Sequence, residues 1–152
     1  MALIKEFLFN KLVEFDNNLT VDSGSNASKR KFDLMTTINE YGKKVIPSSI
    51  SSESAKLDGY YAFTGDNPKV FYSFAKALSH AMEAYAKTLA IGMIGYTPVY
   101  MPTWNILYVN LLKIKSTEDR YSQVRILATE IDKWMKLHIS MNTVTKVTKN
   151  WS

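Results

Sequence analysis

Apolar side chains recur at helical spacing in four stretches of this chain and lose their period between them. Near the start, Ile4, Leu8, Leu12 and Phe15 share one face, Phe7 flanks them, and Lys5, Glu6, Lys11 and Glu14 turn to water. This 3.6-residue period predicts a short amphipathic helix. It stops in DNNLTVDSGSNAS (16–28), whose Gly, Ser, Asn and Asp residues predict a flexible loop. From about Ser28, the rows Phe32, Met35, Ile38 and Leu34, Ile38, Tyr41 predict a second helix. Gly42 closes it, with Lys43 and Lys44 near the negative end of its dipole. The strongest pattern is GDNPKVFYSFAKALSHAMEAYAKTLA, where Asn67 suits an N-cap and Pro68 the first helical position. Val70, Phe71, Phe74, Leu78, Met82, Tyr85 and Leu89 form a broad large face, while Ala75, Ala77, Ala81, Ala84 and Ala86 keep other sides small. A helix so built packs on two sides and is expected at the centre of the domain. A fourth helix of about twenty residues is predicted from STEDRYSQVRILATEIDKWMKLHIS, where Ser116 and Asp119 approximate a capping box and Tyr121, Val124, Ala128, Ile131, Met135 and His138 share a face.

The remaining segments lack this period. Residues 45–66 are Ser- and Gly-rich and read as a long extended connection with a short strand around 60–63. Residues 88–112 contain no Asp, Glu, Lys or Arg, but Gly92, Gly95, Pro98 and Pro102 divide them, so no single apolar helix crosses a bilayer there. WNILYVNLLKIK fits either strand (Trp104, Ile106, Tyr108) or helix (Trp104, Leu107, Tyr108, Leu111), and its β-branched and aromatic content favours extended structure. The last residues, MNTVTKVTKNWS, alternate loosely as an exposed strand or arm would. The expected fold is mainly α: a compact helical domain of about four helices, with minor β or extended segments around 60–63, 96–115 and the C-terminal tail. One domain spans 1–152, with 142–152 as a C-terminal arm.

Composition narrows the functional classes. With 46% apolar residues in 152, the chain can bury a sizeable core. It has no cysteine, which removes disulfides, thiolate metal sites and thiol nucleophiles. No secretory signal pattern opens it, so a reducing, cytosol-like compartment is expected. Nineteen Lys and Arg against fourteen Asp and Glu give a net charge of +5, gathered only at SKRK and in the tail.

No phosphate-cradling Gly loop, dinucleotide fingerprint or nucleophile elbow is present; IGMIG follows a helix, the wrong order for a dinucleotide turn. His80 and Glu83 stand one turn apart without the second copy and further carboxylates of a di-metal bundle. His138 falls on an apolar face and is expected at a core edge or interface. Glu118 and Asp119 read as helix-start acids, and Asp58 as part of an Asp-Gly turn. No catalytic residue, metal or cofactor is expected.

Nine Tyr, seven Phe, three Trp and seven Met are many for this length. Tyr60, Tyr61, Phe63, Tyr96, Tyr100, Met101, Trp104 and Trp151 fall in segments read as irregular, either as the lid of a small core or as anchors for protein contacts. The segment GDNPKVFYSFAKALSHAMEAYAKTLAIGMIGYTPVY, an Ala-rich helix (Ala77, Ala81, Ala84, Tyr85, Ala86) running into a Gly and Pro connection, resembles small structural proteins of tailed bacteriophages. That resemblance implies a virion component at a head, neck or tail interface, made in the host cytoplasm, and transfers no site residues. The leading expectation is a non-enzymatic assembly subunit contacting copies of itself or neighbouring structural proteins through aromatic loops and a tail whose removal spares helix content. A second reading is a basic nucleic-acid-binding module using Lys29, Arg30, Lys31, Lys146, Lys149 and Trp151. A third, a small enzyme, requires His80 or His138 in a concave site.

Overall fold

The computed structural model describes residues 2–21, 27–63, 71–115 and 117–152. Asn67, Pro68 and Val70 of the expected central helix start, and Ser116 of the expected capping box, lie outside the described residues. The elements are α1 (Lys5–Val21), α2 (Ala27–Gly42), α3 (Ser52–Ala62), α4 (Phe71–Ile91), β1 (Tyr96–Tyr100), α5 (Trp104–Leu111), α6 (Arg120–Leu137), β2 (Ile139–Asn142) and β3 (Thr148–Asn150). The protein is thus mainly helical with one small antiparallel sheet, ordered β1-β2-β3. Among the described residues no helix is long and apolar enough to cross a membrane.

The four expected helices are present, with α3 and α5 added to them. α1 continues through part of the expected loop: Leu19 extends the row Leu8, Leu12, Phe15, and the Asp16 carboxylate accepts from Nε and Nη2 of Arg120 at 2.8 and 2.7 Å. Asp119 caps α6: its Oδ1 accepts from the Ser122 backbone N–H at 2.8 Å and its Oδ2 from the Ser122 hydroxyl at 2.9 Å; these hydrogen bonds hold the carboxyl below its usual range.

Two expectations of extended structure are corrected. Residues 60–63 are not a strand, because Tyr60 to Ala62 finish α3 and Phe63 caps it. The buried face of α3 is Ala55 and Gly59, so its helical stripe is too small to register as apolar periodicity. That smallness sets the packing: a Cβ on Gly59 would stand 2.5 Å from Met35 Cε and 3.2 Å from the Ala81 carbonyl oxygen. Asp58 is consequently mid-helix rather than in a turn, and its Oδ2 accepts from the Thr88 hydroxyl of α4. Residues 104–111 are helical because Leu107 and Leu111, one turn apart, are both fully buried, and the Trp104 backbone N–H at the helix start donates to Glu83 Oε2 at 2.7 Å.

Each helix packs on its sequence neighbours, and α6 returns to α1, so the six described helices form a closed ring. Backbone contacts give its sense. The residues after α2, α4 and α6 meet at one end, where Ile46 pairs with Ser152, Ile50 N–H donates to the Gly92 carbonyl and β1 pairs with β2. The C-terminal half of α1 and the start of α6 meet at the other, through Asp16 and Arg120. Neighbouring helices therefore run antiparallel, and the sheet closes one end.

Leu78, Met82, Tyr85 and Leu89 of α4 are completely buried, as are Met35 and Ile38 of α2 and Ile131 and Met135 of α6. Two polar connections cross this core. Tyr85 Oη donates to Asn39 Oδ1 at 2.7 Å, and Asn39 Nδ2 donates to Glu53 Oε1 at 3.3 Å. Tyr41 Oη donates to Asp132 Oδ1 at 2.7 Å, with Lys136 3.0 Å from the other carboxylate oxygen. Burial pushes both tyrosine hydroxyls well above the ordinary phenol value, aided at Tyr41 by the Asp132 carboxylate.

The tail forms β3, whose three residues are exposed, yet the next residue is core. Trp151 is 1% exposed, stacks on His138 with ring centroids 4.2 Å apart and donates from Nε1 to Ser140 Oγ at 2.9 Å. Trp151 is therefore withdrawn from both the interface and nucleic-acid sets, and cutting off 142–152 removes core along with tail.

Two substitutions test these supports. Tyr85→Phe leaves Asn39 Oδ1 without its donor and is expected to lower unfolding free energy by about 2 kcal/mol in urea titration. Trp151→Ala is expected to cost roughly 3–5 kcal/mol by the same measurement, with loss of helical circular dichroism at lower denaturant.

Candidate interaction surface

The residues expected at an interface do not form one surface. Tyr60 packs edge-on to Phe32 at 5.7 Å, and Tyr61 beside it is exposed. Phe63 is buried against Phe74, 6.0 Å between ring centres, and so drops out of the exposed set. Tyr96 and Met101 pack partly onto the core. Trp104 lies over His80, 4.1 Å between centroids, with its backbone held by Glu83. Tyr100, on β1, is exposed.

What the structure gathers instead is aliphatic. Ile50 (80% exposed), Ile91 (78%), Ile94 (71%) and Val144 (87%) surround the sheet end of α4. Backbone hydrogen bonds bring their segments together: Ile50 N–H to the Gly92 carbonyl and Thr143 N–H to the Gly95 carbonyl, both 3.0 Å. Gly92 permits the first contact, because a Cβ there would meet Ser49 Oγ at 2.4 Å and the Ser51 side chain as closely. Gly95 takes φ +83°, a left-handed turn that a side chain rarely adopts. Asn142 Oδ1 accepts from the backbone N–H of Val144 and Thr145, fixing the β2–β3 turn that carries Val144.

Single exposed aliphatics are ordinary; four on segments joined by backbone hydrogen bonds make this end the candidate surface. A sequence signal for it existed. Lys76, His80, Glu83 and Lys87 form the polar row of α4, and Ile91 is the next position on that row. The adjacent β1 is an edge strand, with Pro98 in its middle and a register shift between Pro98 and Tyr100. Both features hinder addition of another strand.

The basic residues divide between the two ends. Lys29, Arg30 and Lys31 begin α2, with Lys29 2.8 Å from Asp33. Lys146 and Lys149 are on the β2–β3 hairpin, whose strand runs on to Ser152 and Ile46 beyond the end of α2. The 16 residues of α2 separate the clusters by roughly 20 Å. They form no continuous basic track. Among the described residues no group of three or more His, Cys, Asp or Glu is placed to hold a metal ion.

Comparison with protein-family models, with curated proteins and with solved structures finds no match to this chain.

His138 belongs to the core. Its Nδ1 lies 3.0 Å from the Met135 carbonyl and 3.1 Å from that of Trp134, so Nδ1–H donates, while Nε2 meets no partner among the described residues. Burial pushes this imidazole down from 6.5 to about 4. The unfolded chain then takes a proton near pH 6.5 that the folded chain refuses until about pH 4. Stability is complete above the upper value and falls through that window, by roughly 3 kcal/mol in all. His138→Phe is expected to flatten the slope of urea stability between pH 6.5 and 4; an unchanged slope would assign it to other groups.

Proposed function

We propose that this protein is a non-catalytic assembly subunit that docks through the sheet end of its helical ring onto copies of itself or a neighbouring structural subunit. One observation carries the reading: Ile50, Ile91, Ile94 and Val144 stand almost fully in water around a single backbone junction. Their backbone is held by hydrogen bonds and shaped by two glycines, so the surface is preformed and little conformational entropy is lost on docking. Val99 and Tyr100 on β1 are also exposed. The likeness of the Ala-rich helix and its Gly and Pro connection to tailed-phage structural proteins supports placing the subunit at a head, neck or tail interface of a virion.

Light scattering after size exclusion tests this at several concentrations and salt levels, with absorbance at 260 and 280 nm recorded. The expected result is an oligomer free of nucleic acid whose mass rises with concentration. Ile91→Lys combined with Ile94→Lys should weaken self-association at least about tenfold without changing the melting temperature, because both side chains are exposed. A strict monomer at all concentrations overturns self-assembly, and co-eluting nucleic acid removed by salt would redirect attention to the basic residues.

A further inference from the structure

We propose that the end of the helical ring away from the sheet holds a binding site for a carboxylate with one apolar tail of about six to eight carbons. Here the end of α1, the starts of α2, α4 and α6, and the residues closing α3 and α5 enclose a cavity of about 220 Å³. Leu12, Phe15, Leu34, Phe74, Val124 and Leu127 supply apolar walls. A dry cavity of about 150 Å³ accepts benzene, so this one suits roughly nine non-hydrogen atoms.

The charged lining decides the head group. Arg30, Lys31 and Arg120 are among the lining residues, and Asp16 is the one acidic side chain among those described. Asp16 is already engaged by Arg120, and the Lys31 ammonium lies 5.6 Å from the centre of the Phe63 ring. Arg30 is half-buried and forms no ion pair among the described residues. A guanidinium cannot shed its charge, and its planar fork matches a carboxylate with two parallel hydrogen bonds. A half-buried, unpaired Arg beside an apolar slot is thus completed by an amphiphile whose charge meets Arg30 and whose tail enters between α1, α2 and α6. This site is at the opposite end from the docking surface and does not depend on the assembly reading.

Calorimetric titration of the full chain with octanoate, octanol and acetate at low salt tests the site. The expected result is saturable one-to-one binding of octanoate, at least about tenfold weaker binding of octanol, and none of acetate. Arg30→Gln, at a partly solvated position, should weaken octanoate about tenfold and leave octanol unchanged. Leu127→Trp should fill the slot and abolish both, with circular dichroism confirming that each variant is folded. Absence of saturable octanoate binding overturns the proposal. So does octanol binding as tightly as octanoate, or octanoate binding that Arg30→Gln leaves intact.

Discussion

The reach of Tyr85 from α4 across to α2 is the constraint on which the rest of the packing turns. Its hydroxyl donates to Asn39 from a position that a Cβ on Gly42 would occupy, 2.1 Å from the oxygen. On the other side, Gly59 lets α3 approach α4: a Cβ there would stand 3.2 Å from the Ala81 carbonyl oxygen and 3.4 Å from Tyr85 Cβ. A buried phenol without an acceptor costs about 1–3 kcal/mol, and the oxygen of Asn39 without a donor costs about as much. The relative placement of α2, α3 and α4 is therefore specified by a polar pair as well as by volume. The Tyr41–Asp132–Lys136 connection does the same between α2 and α6. Apolar contacts alone tolerate sliding along a helix, whereas these hydrogen bonds have one register.

Closing six antiparallel helices into a ring leaves two unlike ends. At one, the chain after α6 turns back as β2 and β3 and inserts Trp151 beside His138, Ser140 and Met93. That end is sealed, and its hydrogen-bonded loops are rigid enough to display aliphatic side chains outward. At the other end, the aromatic pair Phe63 and Phe74 and the last turns of α1 leave a space between them. The same up-and-down topology thus places exposed aliphatic side chains at one end and an apolar cavity at the other.

Much of the helical skeleton was legible because its faces are apolar in the ordinary way: Leu8, Leu12 and Phe15, or Leu78, Met82, Tyr85 and Leu89, are large residues at helical spacing. α3 was hidden because its buried positions are Ala55 and Gly59, which pack through absence of side chain and carry no hydrophobic signal. α5 was ambiguous since Trp104 and Tyr108 serve a strand face and a helix face equally; Leu107 and Leu111 decide it, and only the burial of both by α4 and α6 shows that they do. Gly42 ends α2 as expected, and it also leaves the space beneath Tyr85. Aromatic content pointed to candidate contact residues, but Phe63 and Trp151 are core, and the exposed surface is aliphatic. Of that surface, only Ile91 on the polar row of α4 was legible in the chain, since Ile50 and Val144 reach it through backbone contacts distant in sequence.

The charge distribution follows the same division. Acidic partners absorb many of the described basic side chains: Lys29 with Asp33, Lys43 with Glu40, Arg125 with Glu6. Such exposed pairs contribute little to stability individually. Their effect is to neutralise most of the helical surface, so that the net charge of +5 is not spread evenly. Among the described residues, Arg30, at the end away from the sheet, forms no ion pair. A long-range field steering the chain to a polyanion needs a continuous basic face, and α2 holds the two clusters too far apart to make one. The positive charge acts locally, beside an apolar space, where low dielectric strengthens its attraction for a single carboxylate.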